Sequence, residues 1–411
     1  MKEVLPKQNW RKDIVNINLL LVLYILQGIT IGIASCIPLL LALYGSPWKE
    51  LGTFSFSFWP FSLKLLWAPF IDSVFIKKFG RRKTWIIPLQ LLTGLAMILL
   101  SFYISFLLTE RKIYILTIIF FALCFLTSAQ DVAVDGWALT LLSKENVGWA
   151  GICNMGGLSF GRLFAFCLVL TLGSTEFSNK YIRRFLSLKE HPYELVSFSK
   201  FLLFCGSVFL LVTALIILCK REQLQQDTEN AKIDGLYDTY SDVFKLFKKS
   251  CVRQLALISL TYTMGFAATF SMTNLTLVKN GVRTQTIGLM DIPLALIKVC
   301  VTFSTTRCMA GSKPVTVLLF CYIPRIFTGL LVLLFVHLTP QFSQPFQWYY
   351  YLILVSVLAL NEIFHYSMMV ALIAFFAQIS DPKIGGTYMT LLNTVNNLGL
   401  NLSSTITLFV A

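Results

Sequence analysis

The sequence of 411 residues predicts an all-α polytopic membrane protein: two pseudo-repeated helical bundles, the first with six transmembrane helices and the second with five. Three observations carry that reading. Apolar residues make up 56% of the chain and charged residues 13%, about half the share of a soluble domain. The apolar residues gather into stretches of roughly 20 or more, the length a helix needs to cross a bilayer. One polar segment, residues 220–250, divides the stretches into a group of six and a group of five. This composition excludes an ordinary soluble enzyme, a secreted disulfide module and a disordered chain.

In chain order the first group of spans is Leu19–Leu43, Leu51–Ile71, Trp85–Leu108, Ile113–Leu142, Val147–Leu172 and Phe201–Cys219. The second group is Leu255–Val278, Thr286–Ser304, Val315–Leu338, Tyr349–Phe376 and Gly385–Val410. The first span is too long and too deep in the chain for a cleaved signal peptide, and reads as a retained anchor. Lys and Arg set the orientation. With the N-terminus in the cytosol, cytosolic segments hold roughly twice as many as the opposite ones. Lys77, Lys78, Arg81, Arg82 and Lys83 crowd one short cytosolic loop. The net charge of +14 therefore marks topology, and no nucleic-acid partner is expected. The ten cysteines lie in or beside apolar stretches without a CxxC, so they read as packing residues.

The expected domains are residues 1–219, a six-helix bundle, residues 220–250, a cytosolic linker, and residues 251–411, a five-helix bundle. The halves look related. Ser143-Lys-Glu-Asn-Val-Gly148 joins spans four and five, and Ser380-Asp-Pro-Lys-Ile-Gly385 joins spans ten and eleven. Each closes on a Gly that opens the next helix. Two parallel repeats around a linker are the plan of the major facilitator fold. By that plan a twelfth helix follows; the sequence ends at Ala411, in or just after the eleventh.

Candidate site residues stand at the ends and middles of these spans. Asp72, Gly80, Arg81 and Arg82 sit between spans two and three, spaced like the loop motif of major facilitator transporters. A Gly turn and cations that bond nearby acids would latch the cytosolic side; a plain positive-inside anchor is the alternative. Gln130-Asp131-Val-Ala-Val-Asp135-Gly136-Trp137 places two carboxylates four apart, on one face of span four. Asp131 lies ~16 Å from the span's end, near mid-membrane, where an ionisable group is costly. It would couple a proton, contact substrate, or pair with a cation. Asp135, nearer the cytosol, would join the latch. Lys64 and Arg325 also fall near mid-membrane, one in each half, and two opposed cations suit an anionic substrate. Arg162 and Lys298 lie in spans five and eight. The alternative for all four is pairing with Asp131, Asp291 or Glu362.

Glu362 and His365 share a face of span ten, where a proton relay competes with simple packing. Asn393, Asn397 and Asn401 form a polar stripe on span eleven, which must face protein or water. No phosphate loop, HExxH or GxSxG occurs, so neither ATP hydrolysis, a metal nor a catalytic residue is expected.

Five stretches carry a family resemblance. They are Leu23–Gly28, Phe58–Pro69, Phe79–Lys83, Gln130–Ser143 with Glu145-Asn-Val-Gly148, and Ser380-Asp-Pro with Ile384-Gly-Gly-Thr-Tyr-Met-Thr-Leu-Leu-Asn-Thr-Val395. Together they resemble the acetyl-coenzyme A transporter family, a branch of the major facilitator-like solute carriers. The resemblance implies a carrier of acetyl-CoA into the lumen of the endoplasmic reticulum or Golgi, supplying lumenal acetylation. It implies Lys64 and Arg325 as phosphate contacts, with Gln130, Asp131 and Asn393 as polar contacts. Trp59, Trp67 and Trp137 would stack or pack. Lys64, Asp72, Asp131, Asp135 and Arg325 fall within matching segments, whereas Arg162, Asp291, Lys298, Glu362 and His365 depart from the family pattern. The expected partners are acetyl-CoA, the bilayer and a second copy of the chain, with no cofactor. Competing readings are a membrane-embedded acyltransferase using His365, a carrier of another organic anion or muropeptide-like solute, and a non-transporting relative.

Overall fold

The computed structural model describes residues 10–76, 79–143, 146, 148–185, 187, 189, 191–220, 240–241, 244–245, 248–309, 314–342, 346–379 and 385–411. Among these residues there is no strand. Among the described residues eleven helical rods cross the molecule, and we number them in chain order. They are α1 (Ile14–Leu43), α2 (residues 48–73), α3 (Lys83–Thr109), α4 (Ile113–Leu141), α5 (Gly148–Leu172) and α6 (Phe198–Cys219), then α7 (Ser250–Lys279), α8 (Thr284–Met309), α9 (Pro314–Leu338), α10 (Trp348–Ile379) and α11 (Gly385–Val410). Nearly all of the linker expected over residues 220–250 lies outside the described residues. Nine of the rods, among the described residues, are individually long and apolar enough to span a bilayer; α2 and α11 are the exceptions. The amides of Asn393, Asn396, Asn397 and Asn401 lower the hydropathy of α11.

Rod α2 is broken. It comprises Trp48–Ser55, Trp59–Leu63 and Ala68–Ser73, joined by 3₁₀ turns. Pro60 and Pro69 each open one of the later pieces, where a missing N–H is tolerated. Rod α7 breaks at the 3₁₀ turn Met264–Phe266, which contains Gly265 and no proline.

Small residues set the closest approaches, since apolar burial alone does not hold helices together in lipid. Along α1 and α5, Gly28 faces Gly161, Gly32 faces Ala165 and Gly157 faces Tyr24; Gly28 and Gly32, and Gly157 and Gly161, are each spaced GxxxG. A Cβ on Gly28 would meet the Gly161 Cα at 3.0 Å, and one on Gly32 the Ala165 Cβ at 2.9 Å. Rods α3 and α6 meet at Gly94, whose added Cβ would stand 3.0 Å from the Gly206 carbonyl oxygen. Rods α7 and α11 meet at Gly399, where it would stand 2.9 Å from the Leu260 Cα.

The two groups of rods join at one end. We call near the end that carries the Gly80 turn, and far the opposite one. At the far end a single apolar cluster runs through both groups, from Ile37, Leu41 and Phe54 to Leu277, Ile287 and Leu408. At the near end the core splits into two clusters. One holds Leu20, Tyr24, Ile86 and Trp137; the other holds Val252, Ala256, Phe376 and Leu391. Polar contacts follow the same division. The Asn401 amide of α11 donates to the Phe58 carbonyl at 3.2 Å and to the Ser62 hydroxyl at 2.7 Å. Thr405 bonds the Ser55 hydroxyl at 2.7 Å and accepts from the Trp59 indole at 3.2 Å. The Cys167 thiol of α5 donates to the Gly288 carbonyl of α8 at 3.0 Å. Arg283 pairs with Glu176, and Ser174 bonds Gln285. The molecule is thus sealed at the far end, and its two cores part toward the near end.

Candidate functional site

The mid-membrane charges form two networks, one per bundle. In the first, Lys64 stands in the 3₁₀ turn Lys64–Leu66, where α2 is interrupted. The turn brings its ammonium 3.2 Å from Asp131 Oδ2 of α4. Asp131 Oδ1 is buried with no hydrogen-bond partner. One turn on, Asp135 Oδ1 accepts from the Tyr24 hydroxyl of α1 at 2.7 Å and the Asn154 amide of α5 at 3.0 Å. Asp135 is therefore held by neutral donors that tie α1, α4 and α5 together.

In the second network Lys298 of α8 lies 3.4 Å from Asp291 and 3.7 Å from Glu362 of α10. Two carboxylates share one ammonium. Arg325 of α9 is 3% exposed, yet no carboxylate among the described residues pairs with it. Its guanidinium lies 4.0 Å from the centre of the Phe266 ring, a cation–π contact. It meets His365 Nδ1 at 2.9 Å, and its Nε has no partner. Arginine is always a donor, so Nδ1 accepts and His365 is neutral. The His365 ring also stacks on Phe270 at 5.9 Å. His365 thus turns to Arg325 instead of Glu362, and the nitrogen facing Arg325 is unavailable to an acyl acceptor. Arg162 of α5 is exposed between the bundles, within electrostatic reach of Lys298 and His365. No carboxylate among the described residues pairs with it either.

The four cations therefore divide differently from the expectation that set Lys64 opposite Arg325. Lys64 and Lys298 are ion-paired, while Arg162 and Arg325 lack carboxylate partners among the described residues. Trp137 is 1% exposed inside the near-end core of the first bundle, where it offers a ligand no surface. Trp59 bonds the far-end seam. Trp67 packs edge-on against Phe125 at 4.8 Å, and its indole N–H is buried without a partner, as is the amide nitrogen of Gln130. Asn393 is half-buried on α11, one turn from the buried Asn396.

At the near end Gly80 adopts φ +95°, the left-handed region that favours glycine. Arg82 follows, beside Arg81, and lays its guanidinium against Gly136 of α4; a Cβ there would collide with it. The arginine of the loop thus abuts the residue next to Asp135, without the carboxylate having left Tyr24 and Asn154. The Asp72 side chain, Lys77 and Lys78 lie outside the described residues. Asp13, a residue the sequence reading passed over, accepts from the Ser143 amide at 3.1 Å, the Ser143 hydroxyl at 2.6 Å and Asn146 at 2.8 Å. The repeated loop motif at Ser143 was the only signal for that contact. Tyr24 and Asn154 were also missed; nothing in either helix's own spacing identifies them as partners of Asp135. Among the described residues no three His, Cys, Asp or Glu come together as a metal site. A cavity of about 580 Å³ lies apart from the charges, at the far end, lined by Glu176, Lys180, Arg283, Gln285 and Tyr351 among others.

Comparison with known proteins gives concordant results. The family described as Acetyl-coenzyme A transporter 1 matches residues 16–232 and 296–411. An uncharacterized protein of Schizosaccharomyces pombe is 30% identical over 390 residues, covering 93% of this chain and 72% of that one. An uncharacterized membrane protein of Saccharomyces cerevisiae is 29% identical over 463 residues, covering 95% and 82%. Among solved structures, a bacterial homologue of the human lysosomal transporter Spinster, inward-facing and occupied, superposes with a TM-score of 0.64 at 13% identity, covering 97% and 81%. That likeness gives the fold: the two-bundle major facilitator architecture, in a multi-pass membrane protein.

Proposed function

Since this chain belongs to the acetyl-coenzyme A transporter family, we propose that it carries acetyl-CoA by alternating access from the cytosol into the lumen of the endoplasmic reticulum or Golgi, for lumenal acetylation. The observation that carries the reading is Arg325: a buried guanidinium with a free Nε and no carboxylate partner among the described residues. A buried charge is costly unless paired. The phosphates of acetyl-CoA would supply the missing anion, and guanidinium binds phosphate in a bidentate fork.

Arg162 supports the reading from the opposite bundle, also without a carboxylate partner. Lys64 joins as a third contact by exchanging Asp131 for phosphate. The N–H groups of Trp67 and Gln130, buried without a partner, would turn to polar groups of the ligand as it binds, and Asn393 is a further polar contact. The positive-inside bias sets the near end in the cytosol, so the parted near-end cores belong to the state that loads cytosolic substrate. The Gly80, Arg81 and Arg82 turn, with Asp72 and Asp135, would latch that end after loading.

Uptake of labelled acetyl-CoA into proteoliposomes tests the proposal, with Arg325→Gln beside the unmodified chain. Saturable uptake is expected, with affinity for acetyl-CoA weaker by roughly 10–100-fold in the variant, the loss of a hydrogen bond to a charged group. Absence of saturable uptake by monodisperse protein would refute the carrier reading. Equal affinity in Arg325→Gln would remove Arg325 from the site.

A further inference from the structure

We infer that Asp291, Lys298 and Glu362 form a proton-binding site, coupled to the anion through Arg162 and Arg325. The inference rests on the carrier reading and adds its energy coupling. Lys298 stands between two carboxylates, at 3.4 and 3.7 Å. With both ionised the triad carries one uncompensated negative charge near mid-membrane. One proton on a carboxylate oxygen makes it neutral.

The groups facing the triad decide when the proton binds. From α10 these are His365, which accepts from Arg325, and Tyr366, whose ring centre is 5.7 Å from the Lys298 ammonium. From α9 it is Arg325, within electrostatic reach of Glu362 without forming an ion pair. From the other bundle they are Arg162 of α5, within reach of Lys298, and the neutral thiols of Cys167 on α5 and Cys36 on α1, within reach of Asp291. Rods α5 and α8 pack directly, pinned by the Cys167–Gly288 bond. Counted from that bond toward the near end, Arg162 lies ~7 Å along α5, Asp291 ~5 Å along α8 and Lys298 ~15 Å. Arg162 is therefore level with the triad, across the seam along which the bundles must rock.

Two sources of positive charge thus compete to offset the triad: the arginines and a proton. In the empty carrier Arg162 and Arg325 supply it. When a multiply charged anion engages the arginines, their charge is spent on the ligand, and the triad takes a proton from the water on the loading side. Linkage is reciprocal, so protonation in turn releases the arginines to the anion. Proton and anion load together, cross together and leave together. The expected sign is uptake that rises as the loading side becomes more acidic.

The test uses the full chain in proteoliposomes, read in two ways. Counterflow of labelled against unlabelled acetyl-CoA without a pH gradient reports carriage. Uptake driven by an acidic exterior, with a pH dye inside, reports coupling. For the unmodified chain we expect counterflow, internal acidification with uptake, and accumulation rising up to about tenfold per unit of pH gradient for one proton. For Glu362→Gln we expect counterflow without any response to the gradient and without acidification. Asp291→Asn gives a second reading, and loss of the gradient response in either variant supports the site. Gradient-independent uptake by the unmodified chain overturns the inference while leaving the carrier reading standing. So does a retained gradient response in both variants. Absence of counterflow in the unmodified chain overturns the carrier reading, and the coupling with it.

Discussion

The two bundles meet buried charge in opposite ways. In the first, every mid-membrane acid has a partner from within the bundle: Asp131 has Lys64, and Asp135 has Tyr24 and Asn154. In the second, the matching of charges is uneven. Lys298 has two carboxylates, and Arg325 has a histidine and an aromatic face in place of one. Charge satisfied locally stabilises a bundle, and Lys64 reaches a ligand only by giving up Asp131. Charge left unmatched stays free to answer a ligand or a proton. The comparison teaches that unevenly matched charge gathers in the second bundle, among the described residues.

The largest effect expected from breaking this contrast is in the first bundle. Asp131→Asn strands the Lys64 ammonium, and removing one partner of a buried pair typically destabilises by about 3–5 kcal/mol. The double variant Lys64→Met with Asp131→Leu should recover most of that loss, since apolar replacements of a buried pair are often neutral. Thermal stability of the solubilised protein checks both. A single variant as stable as the unmodified chain would mean the pair is not structural.

Arg325→Gln makes the converse case. It should weaken acetyl-CoA binding by about 1.5–3 kcal/mol, the worth of a hydrogen bond to a charged group. It should leave the melting temperature nearly unchanged, because loss of the His365 bond and the Phe266 contact is offset by removing a buried cation that no carboxylate among the described residues pairs with. Binding and melting measured on the same preparation separate the roles. Parallel loss of both would make Arg325 structural, and the two bundles alike.

Tyr24→Phe probes the local satisfaction of the first bundle more gently. Asp135 would keep Asn154 and lose the hydroxyl that bonds it at 2.7 Å. A loss of about 1.5 kcal/mol in stability is expected, with acetyl-CoA affinity unchanged. A change in affinity without a change in stability would place Asp135 in the substrate path.

These contrasts were only partly legible in the sequence. Apolar runs located the rods, because their lengths are dictated by the bilayer. The breaks in α2 were written in Pro60 and Pro69, whereas the break at Met264–Phe266 has no such marker. Spacing within a helix shows which residues share a face, and so it grouped Asp131 with Asp135, and Glu362 with His365. It says nothing about which face meets which. Lys64 and Asp131 are 67 residues apart, and Arg325 and His365 are 40 apart. Their pairing is a property of helix packing, as is the approach of α1 to α5 at Gly28 and Gly161, whose GxxxG spacing was not used. Arg82 and Gly136 were likewise noted in separate motifs, and only their packing makes them neighbours.

The smallest expected effect lies on the seam where the bundles are compared directly. The Trp59 indole of α2 donates to Thr405 of α11 at 3.2 Å, a bond between neutral groups. Trp59→Phe removes it at about 1 kcal/mol. The bond belongs to the far-end-sealed state, and an alternating carrier must break it to open that end. Its loss therefore shifts the population toward the far-end-open state by roughly fivefold, the equilibrium equivalent of 1 kcal/mol. Cys167 reports the shift, since its thiol is held against the Gly288 carbonyl on the same seam. Labelling of Cys167 by a membrane-impermeant thiol reagent applied from the far side should rise by about that factor in Trp59→Phe. Unchanged labelling would mean that this end does not open along α2 and α11, and that the bundles rock about a different line.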